Sequence, residues 1–111
     1  MNEVSNSQML NELVVVKRSG QRVGFNSAKI AIAIKKAFDQ VAPVNSEKQV
    51  NKVYEDVLFY ISKNYADRKT INVEDIQDII ETKLKDNKFK DVYQAFSDYR
   101  IRHTPESLFP W

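Results

Sequence analysis

The side chains best suited to chemistry in this sequence are cations. Lys17, Arg18, Arg22 and Lys29 fall within thirteen consecutive positions, and Arg100, Arg102 and His103 form a second group further on. Ammonium and guanidinium groups gathered this closely can bind a polyanion, because each offers charge-assisted hydrogen bonds to anionic oxygens. The competing reading of the first group is a solvated hairpin tip with its long basic chains spread apart. For the second group it is a helix C-terminus, where cations complement the dipole. His103 reads as a helix-end cation or a neutral surface ring rather than a ligand.

Other chemistries find little material. The chain of 111 residues has no cysteine, one histidine and two glycines. Thiol catalysis, a disulfide scaffold, a cysteine zinc site and a multi-glycine phosphate loop are therefore excluded. The acidic residues Glu74, Asp75, Asp78 and Glu81 lie near the expected start of a helix, where they favour the positive dipole end, and they do not make a convincing acid–base pair. No nucleophile, base and orienter stand together, so no catalytic residue is assigned and the chain reads as a non-enzyme. Seventeen basic against fifteen acidic residues leave a net charge of +2. That balance argues against nucleic-acid binding by bulk charge and places any anion site in local clustering. The first twelve residues lack the apolar core of a signal peptide, and a run such as Leu13 to Val16 is far too short to span a bilayer. The expected location is the cytoplasm, without membrane attachment.

The elements that would position these cations can be read from periodicity. Leu13 to Arg18 and Gln21 to Phe25 are rich in β-branched residues and flank Ser19-Gly20, which predicts a hairpin. With Ser19-Gly20 as a two-residue turn, Lys17 would face Arg22 and Arg18 would face Gln21. Cations directly opposite on a ladder are destabilising, and an anion between them would relieve the conflict. Gly24 in the return strand suggests a bulge or a close backbone approach. Asn26 is a candidate N-cap for a helix with Ile30, Ala33, Ile34, Ala37, Phe38 and Val41 on one face, ending near Pro43. Lys29 then sits in the first turn, where the dipole disfavours a cation by about 0.3–1 kcal/mol; a broken local rule of this kind often marks a functional site. A solvated side chain is the plainer alternative.

Ser46 and Gln49 suggest a capping box before a second helix, with Val50, Val53, Val57, Leu58, Ile61 and Tyr65 as its stripe. Thr70-Ile71-Asn72 can add a third strand, and Asn72 can cap a third helix carrying Val73, Ile76, Ile79, Ile80 and Leu84. A polar turn from Lys85 to Lys88 leads to a fourth helix with Phe89, Val92, Phe96 and Tyr99, closed by Pro105. The expected fold class is α+β: a small N-terminal hairpin or three-stranded sheet capping a four-helix bundle. Residues 1–13 are expected as a flexible arm, 14–103 as the folded domain and 104–111 as a tail whose Leu108, Phe109 and Trp111 can dock. Val15, Val16 and Val23 would form an apolar wall beside the hairpin.

Four blocks, in order, give the pattern its specificity: Val15-Val-Lys-Arg-Ser-Gly, Phe25-Asn-Ser-Ala-Lys-Ile, Ile71-Asn-Val-Glu-Asp-Ile and Ala95-Phe-Ser-Asp-Tyr-Arg-Ile-Arg. Together they resemble the ATP-cone family, across about residues 14–103. Departures are few: Ser19 stands where the family usually has Asp or Asn, Asn26 where Asp is usual, and Tyr93-Gln-Ala-Phe96 where the last helix commonly reads Ala-x-x-Tyr. The resemblance implies a regulatory nucleotide-binding module of ribonucleotide reductases, with ATP or dATP as ligand, accompanied by Mg2+. It implies control through nucleotide-dependent oligomerisation, with a reductase subunit as partner in the same or a separate chain. Carried onto this sequence, it makes Lys17, Arg18 and Lys29 the phosphate contacts. The full candidate site comprises Val15, Val16, Lys17, Arg18, Ser19, Gly20, Arg22, Lys29, Arg100 and Arg102. Two other readings stay open here: a fragment of a nucleotide-dependent transcriptional regulator, and a ligand-free protein-interaction module. The related repressor carries a cysteine zinc ribbon, which this chain lacks.

Overall fold

Three short strands share one sheet in the order β2-β1-β3. The structure, a computed structural model, describes residues 12–41, 46–65 and 67–102, with the side chains of Tyr99 and Arg102 left aside. Strand β1 is Val14–Val16 and β2 is Arg22–Gly24; they pair antiparallel with Val15 opposite Val23 and Val16 opposite Arg22. Strand β3, Thr70–Asn72, pairs with β1 in parallel, with Val14 beside Thr70 and Val16 beside Asn72. The third strand thus follows two helices and returns to the far side of β1.

The hairpin turn differs from the two-residue expectation. Lys17 donates its N–H to the Gln21 carbonyl at 2.8 Å and accepts from Gly20 N–H at 2.8 Å, so the loop is Arg18-Ser19-Gly20. Gly20 has φ +94°, a left-handed conformation that glycine adopts without the Cβ penalty. The extra loop residue shifts the pairing by one. Lys17 stands opposite Gln21 and on the face of Val15, while Arg22 stands opposite Val16 and on the other face. The predicted Lys17–Arg22 confrontation does not occur. Nor does Gly24 mark a bulge or close approach: it pairs regularly with Val14, and a Cβ there would meet nothing within 4 Å.

Four helices are found among the described residues: α1 Ser27–Val41, α2 Glu47–Asn64, α3 Val73–Asp86 and α4 Lys90–Arg102. Helix α1 packs on α2 and α4, and α3 packs on α2 and α4, closing a ring. The predicted stripes meet inside it. Ile30, Ile34 and Phe38 of α1 join Val53, Val57 and Ile61 of α2, Ile76, Ile80 and Leu84 of α3, and Val92 and Phe96 of α4. Val15 and Ile71 close the core from the sheet, and Leu13, expected in the arm, is buried with them. Phe38 meets Phe89 edge to face, with centroids 5.3 Å apart.

Helix ends follow the predicted positions more closely than the predicted bonds. Asn26 accepts the Ala28 N–H on its side-chain Oδ1 at 3.0 Å and the Lys29 N–H on its carbonyl at 3.0 Å. Ser46 and Asn72 stand at the N-caps of α2 and α3, but neither side chain caps its first turn. Helix α3 ends in a Schellman arrangement: Phe89 N–H reaches the Leu84 carbonyl, Lys88 N–H reaches the Lys85 carbonyl, and Lys88 takes φ +67°. Most of the arm, Pro43, His103, Pro105 and the tail lie outside the described residues.

Candidate functional site

The hairpin loop and the first turn of α1 flank β2, one at each end. Lys17 and Lys29 are both half-buried. Alternation along β1 turns Lys17 to the face of Val15, which is 0% exposed and belongs to the core. The expected apolar wall of Val15, Val16 and Val23 does not form: Val15 is enclosed, Val23 opposite it packs against the core, and Val16, half-buried, lies on the other face with Arg22. Ser19 Oγ accepts the Gln21 N–H at 3.3 Å and helps hold the loop. Arg22 is exposed on the opposite face of β2.

Four described Lys or Arg residues are half-buried: Lys17, Lys29, Lys83 and Arg100. Lys83 has the Asp86 carboxylate at 3.8 Å and lies over the Tyr60 ring. Arg100 meets Glu74 at 2.8 Å, Asp78 at 2.9 Å and Glu81 at 3.2 Å. No ion pair forms to Lys17 or Lys29 among the described residues. A half-buried lysine can pack its stem while its ammonium meets no carboxylate, and such an ammonium is open to an incoming anion.

The start of α1 fits the same chemistry. Helices α2, α3 and α4 each carry an acid in the first turn, Glu47, Glu74 with Asp75, and Asp91, whereas α1 carries none. Asn26 already satisfies the Ala28 and Lys29 N–H groups, so this turn offers the charge of Lys29 rather than a row of bare donors. Tyr54 Oη lies 3.2 Å from Ser27 Oγ and fastens α2 to this end of α1.

Arg18 and Arg100, distant in sequence, are brought to a single carboxylate. Arg18 Nε donates to Glu74 Oε2 at 2.9 Å, its Nη2 donates to the same oxygen, and Arg100 Nη2 donates to Glu74 Oε1 at 2.8 Å. Strand register explains the first contact. Val16 lies beside Asn72 in a parallel pair, so two residues further on Arg18 comes level with Glu74. The Arg100 hydrogen bond, opposed by burial and aided by Arg18, holds the Glu74 carboxyl below its ordinary value. Burial opposes the Arg100 charge, but Glu74, Asp78 and Glu81 outweigh it and raise its pKa. The end of α4 therefore reaches the hairpin, with the Arg100 charge matched by three acids. Arg102 contributes its backbone to the last turn of α4.

Glu74 was read from sequence only as a dipole partner of α3. Its role as the link between hairpin and α4 depends on the parallel pairing of β1 with β3, which no short-range signal reveals. A separate cleft of about 210 Å³ lies between α2 and α3, lined by Tyr60, Tyr65, Asp75, Asp78, Thr82 and Lys83 among others. Burial, and then Asp75, push the Tyr65 hydroxyl up. Two carboxylates make that cleft a poor place for a polyanion.

Comparison with known proteins identifies the family. The family model for the ATP cone domain matches residues 13–105. The chain belongs to the ATP-cone family of nucleotide-binding regulatory domains. It is similar to the ribonucleoside-diphosphate reductase subunit alpha of Chlamydia pneumoniae, at 30% identity over 98 residues, covering 79% of this chain and 9% of that protein. The subunits alpha of Chlamydia muridarum and Chlamydia trachomatis each match at 27% identity over 107 residues, covering 86% of this chain and 10% of theirs. The chain thus spans about a tenth of the length of these curated relatives.

Proposed function

We propose that this domain binds ATP or dATP at the hairpin and the start of α1, and that occupancy regulates a ribonucleotide reductase. Lys17, Arg18 and Lys29 take the phosphates; Arg22, on the other face of the sheet, and Arg100, matched by three acids, stand outside the direct contacts. The observation that carries this reading is the pair of half-buried lysines, Lys17 and Lys29, without a carboxylate among the described residues. Similarity to the amino-acid sequence of reductase alpha subunits supports a reductase subunit as partner, in the same or a separate chain.

Among the described residues no three His, Asp or Glu side chains form a group able to hold a metal, and the acids that gather at Glu74, Asp78 and Glu81 serve Arg100. Mg2+ therefore belongs to the proposal as part of the ligand, carried on phosphate oxygens and keeping several of its waters. No helix among the described residues is long and apolar enough to cross a membrane. We place the protein in the cytoplasm, where both nucleotides are made and used, and expect its assembly state to follow which nucleotide is bound.

Titration calorimetry with ATP, dATP and adenosine, paired with light scattering, tests the reading. Both triphosphates should bind and adenosine should bind far more weakly. Absence of heat with either triphosphate at millimolar concentration would reject the site, and assembly indifferent to nucleotide would reject the regulatory half.

A further inference from the structure

The contacts of Glu74 assign it a task beyond stabilising α3. A guanidinium presents planar forked edges, each able to take paired oxygens. Arg18 spends its Nε–Nη2 edge on Glu74 Oε2, which leaves the Nη1–Nη2 edge free on a side chain that is 61% exposed. The other carboxylate oxygen, Oε1, is held by Arg100, whose side chain is only 19% exposed and is anchored in turn by Asp78 and Glu81. A long, solvent-exposed arginine on a hairpin loop is thereby fixed at one edge to a carboxylate that is itself fixed.

We infer that Glu74 is a positioning residue of the anion site: it holds Arg18 by one edge so that the other is presented ready-formed to the ligand's phosphate oxygens, and Arg100 holds Glu74 in place. This rests on the binding reading above and adds a residue that touches no ligand. Two consequences follow from the geometry. The entropy of ordering Arg18 is lost on folding rather than on binding, which favours affinity. The loop that meets the phosphates is also joined through one carboxylate to the end of α4, so any ligand-induced shift of Arg18 is felt at Arg100.

The test is a cycle of four proteins, wild type, Glu74→Gln, Arg18→Ala and the double variant, each titrated with ATP. With Arg18 present, Glu74→Gln should weaken binding about fivefold, the cost of ordering one long side chain during binding. With Arg18→Ala in place, the same change should leave affinity unaltered or slightly tighter, since a negative charge near the phosphates has been removed. Equal losses in both backgrounds would mean that Glu74 acts only on the fold. Tighter binding by Glu74→Gln alone would mean that it competes with phosphate for Arg18. Either result overturns the inference. A second measurement needs no variant at Glu74: the Arg18 Nε–H resonance in a nitrogen-15 spectrum should stay protected from exchange when ATP is added, and loss of that protection would overturn it too. Failure of the wild type to bind ATP would remove the binding reading itself, and with it this role.

Discussion

Replacing Lys17 by Met separates a binding charge from a structural one. Lys17 is half-buried on the bundle-facing side of the hairpin and has no ion pair among the described residues, so its charge is unmatched there. Methionine keeps most of the stem and removes the ammonium. No partner is orphaned by the change, so unfolding free energy should move by no more than about 0.5 kcal/mol, with a slight gain as the favoured direction. Binding should respond very differently. One charge-assisted hydrogen bond to phosphate is worth about 1.5–3 kcal/mol, which corresponds to about ten- to 150-fold in affinity. Calorimetry on the variant should show that loss for ATP and dATP, with adenosine unaffected, while the thermal midpoint holds. Lys29→Met should behave alike for the same reason. Unchanged ATP affinity in Lys17→Met would refute the site, and a large drop in thermal midpoint with the same nucleotide affinity would show that the lysine serves the fold.

Three further outcomes follow from local geometry. The folded-state pKa of Glu74 lies below its ordinary 4.5, so its ion pairs stabilise the protein above that pH and are lost as pH falls through the depressed value. The gap in thermal midpoint between wild type and Glu74→Gln should accordingly be present at neutral pH and narrow as pH falls into the acid range; a gap that widens in acid would contradict the linkage. Gly20→Ala and Lys88→Gly should move stability in opposite directions by about 1 kcal/mol each, because both positions have left-handed φ, +94° and +67°, and only glycine adopts it freely; thermal melts of the two variants check the signs. Gln77 is 1% exposed and its Nε2 has no hydrogen-bond partner among the described residues, so Gln77→Met should stabilise the domain by about 1 kcal/mol in denaturant titrations, and a destabilised variant would show that the amide is satisfied in solution.

What the sequence revealed and what it concealed divide along the range of the interactions. Helix stripes were legible because an apolar residue every three or four positions leaves burial as the only low-energy outcome, and Ile30, Ile34, Val57, Ile80 and Phe96 all lie in the core. The Asn26 cap was legible for a similar reason, since the bond to Ala28 N–H lies two residues away. The hairpin was legible in position but not in register: Ser19-Gly20 marks a turn whether the loop holds two residues or three. That single residue decides which face Lys17 takes. The loop closure at Gly20 sends it to the side of Val15, away from Arg22, and into partial burial, where an unpaired charge matters most.

Glu74 was the least legible residue of the site, for a reason that also explains its position. From sequence it is one of several acids at a helix start, and the dipole accounts for all of them equally. Only the parallel pairing of β1 with β3 distinguishes it, by setting residue 74 level with residue 18 across an interval that spans two helices. Parallel pairing requires such a crossover, and nothing in either strand's three residues encodes which partner it will meet. The hairpin loop and α4 are consequently linked by tertiary structure alone. Arg100 could be read as a helix-end cation at the right end of the chain, but its contact with the carboxylate that holds Arg18 arises only when α4 packs against α1 and α3 and closes the ring. If Arg18 faces the ligand as proposed, the anion site and the helical packing share one electrostatic network. Substitutions that loosen the α3–α4 contact should therefore weaken phosphate binding without touching a single phosphate-binding residue.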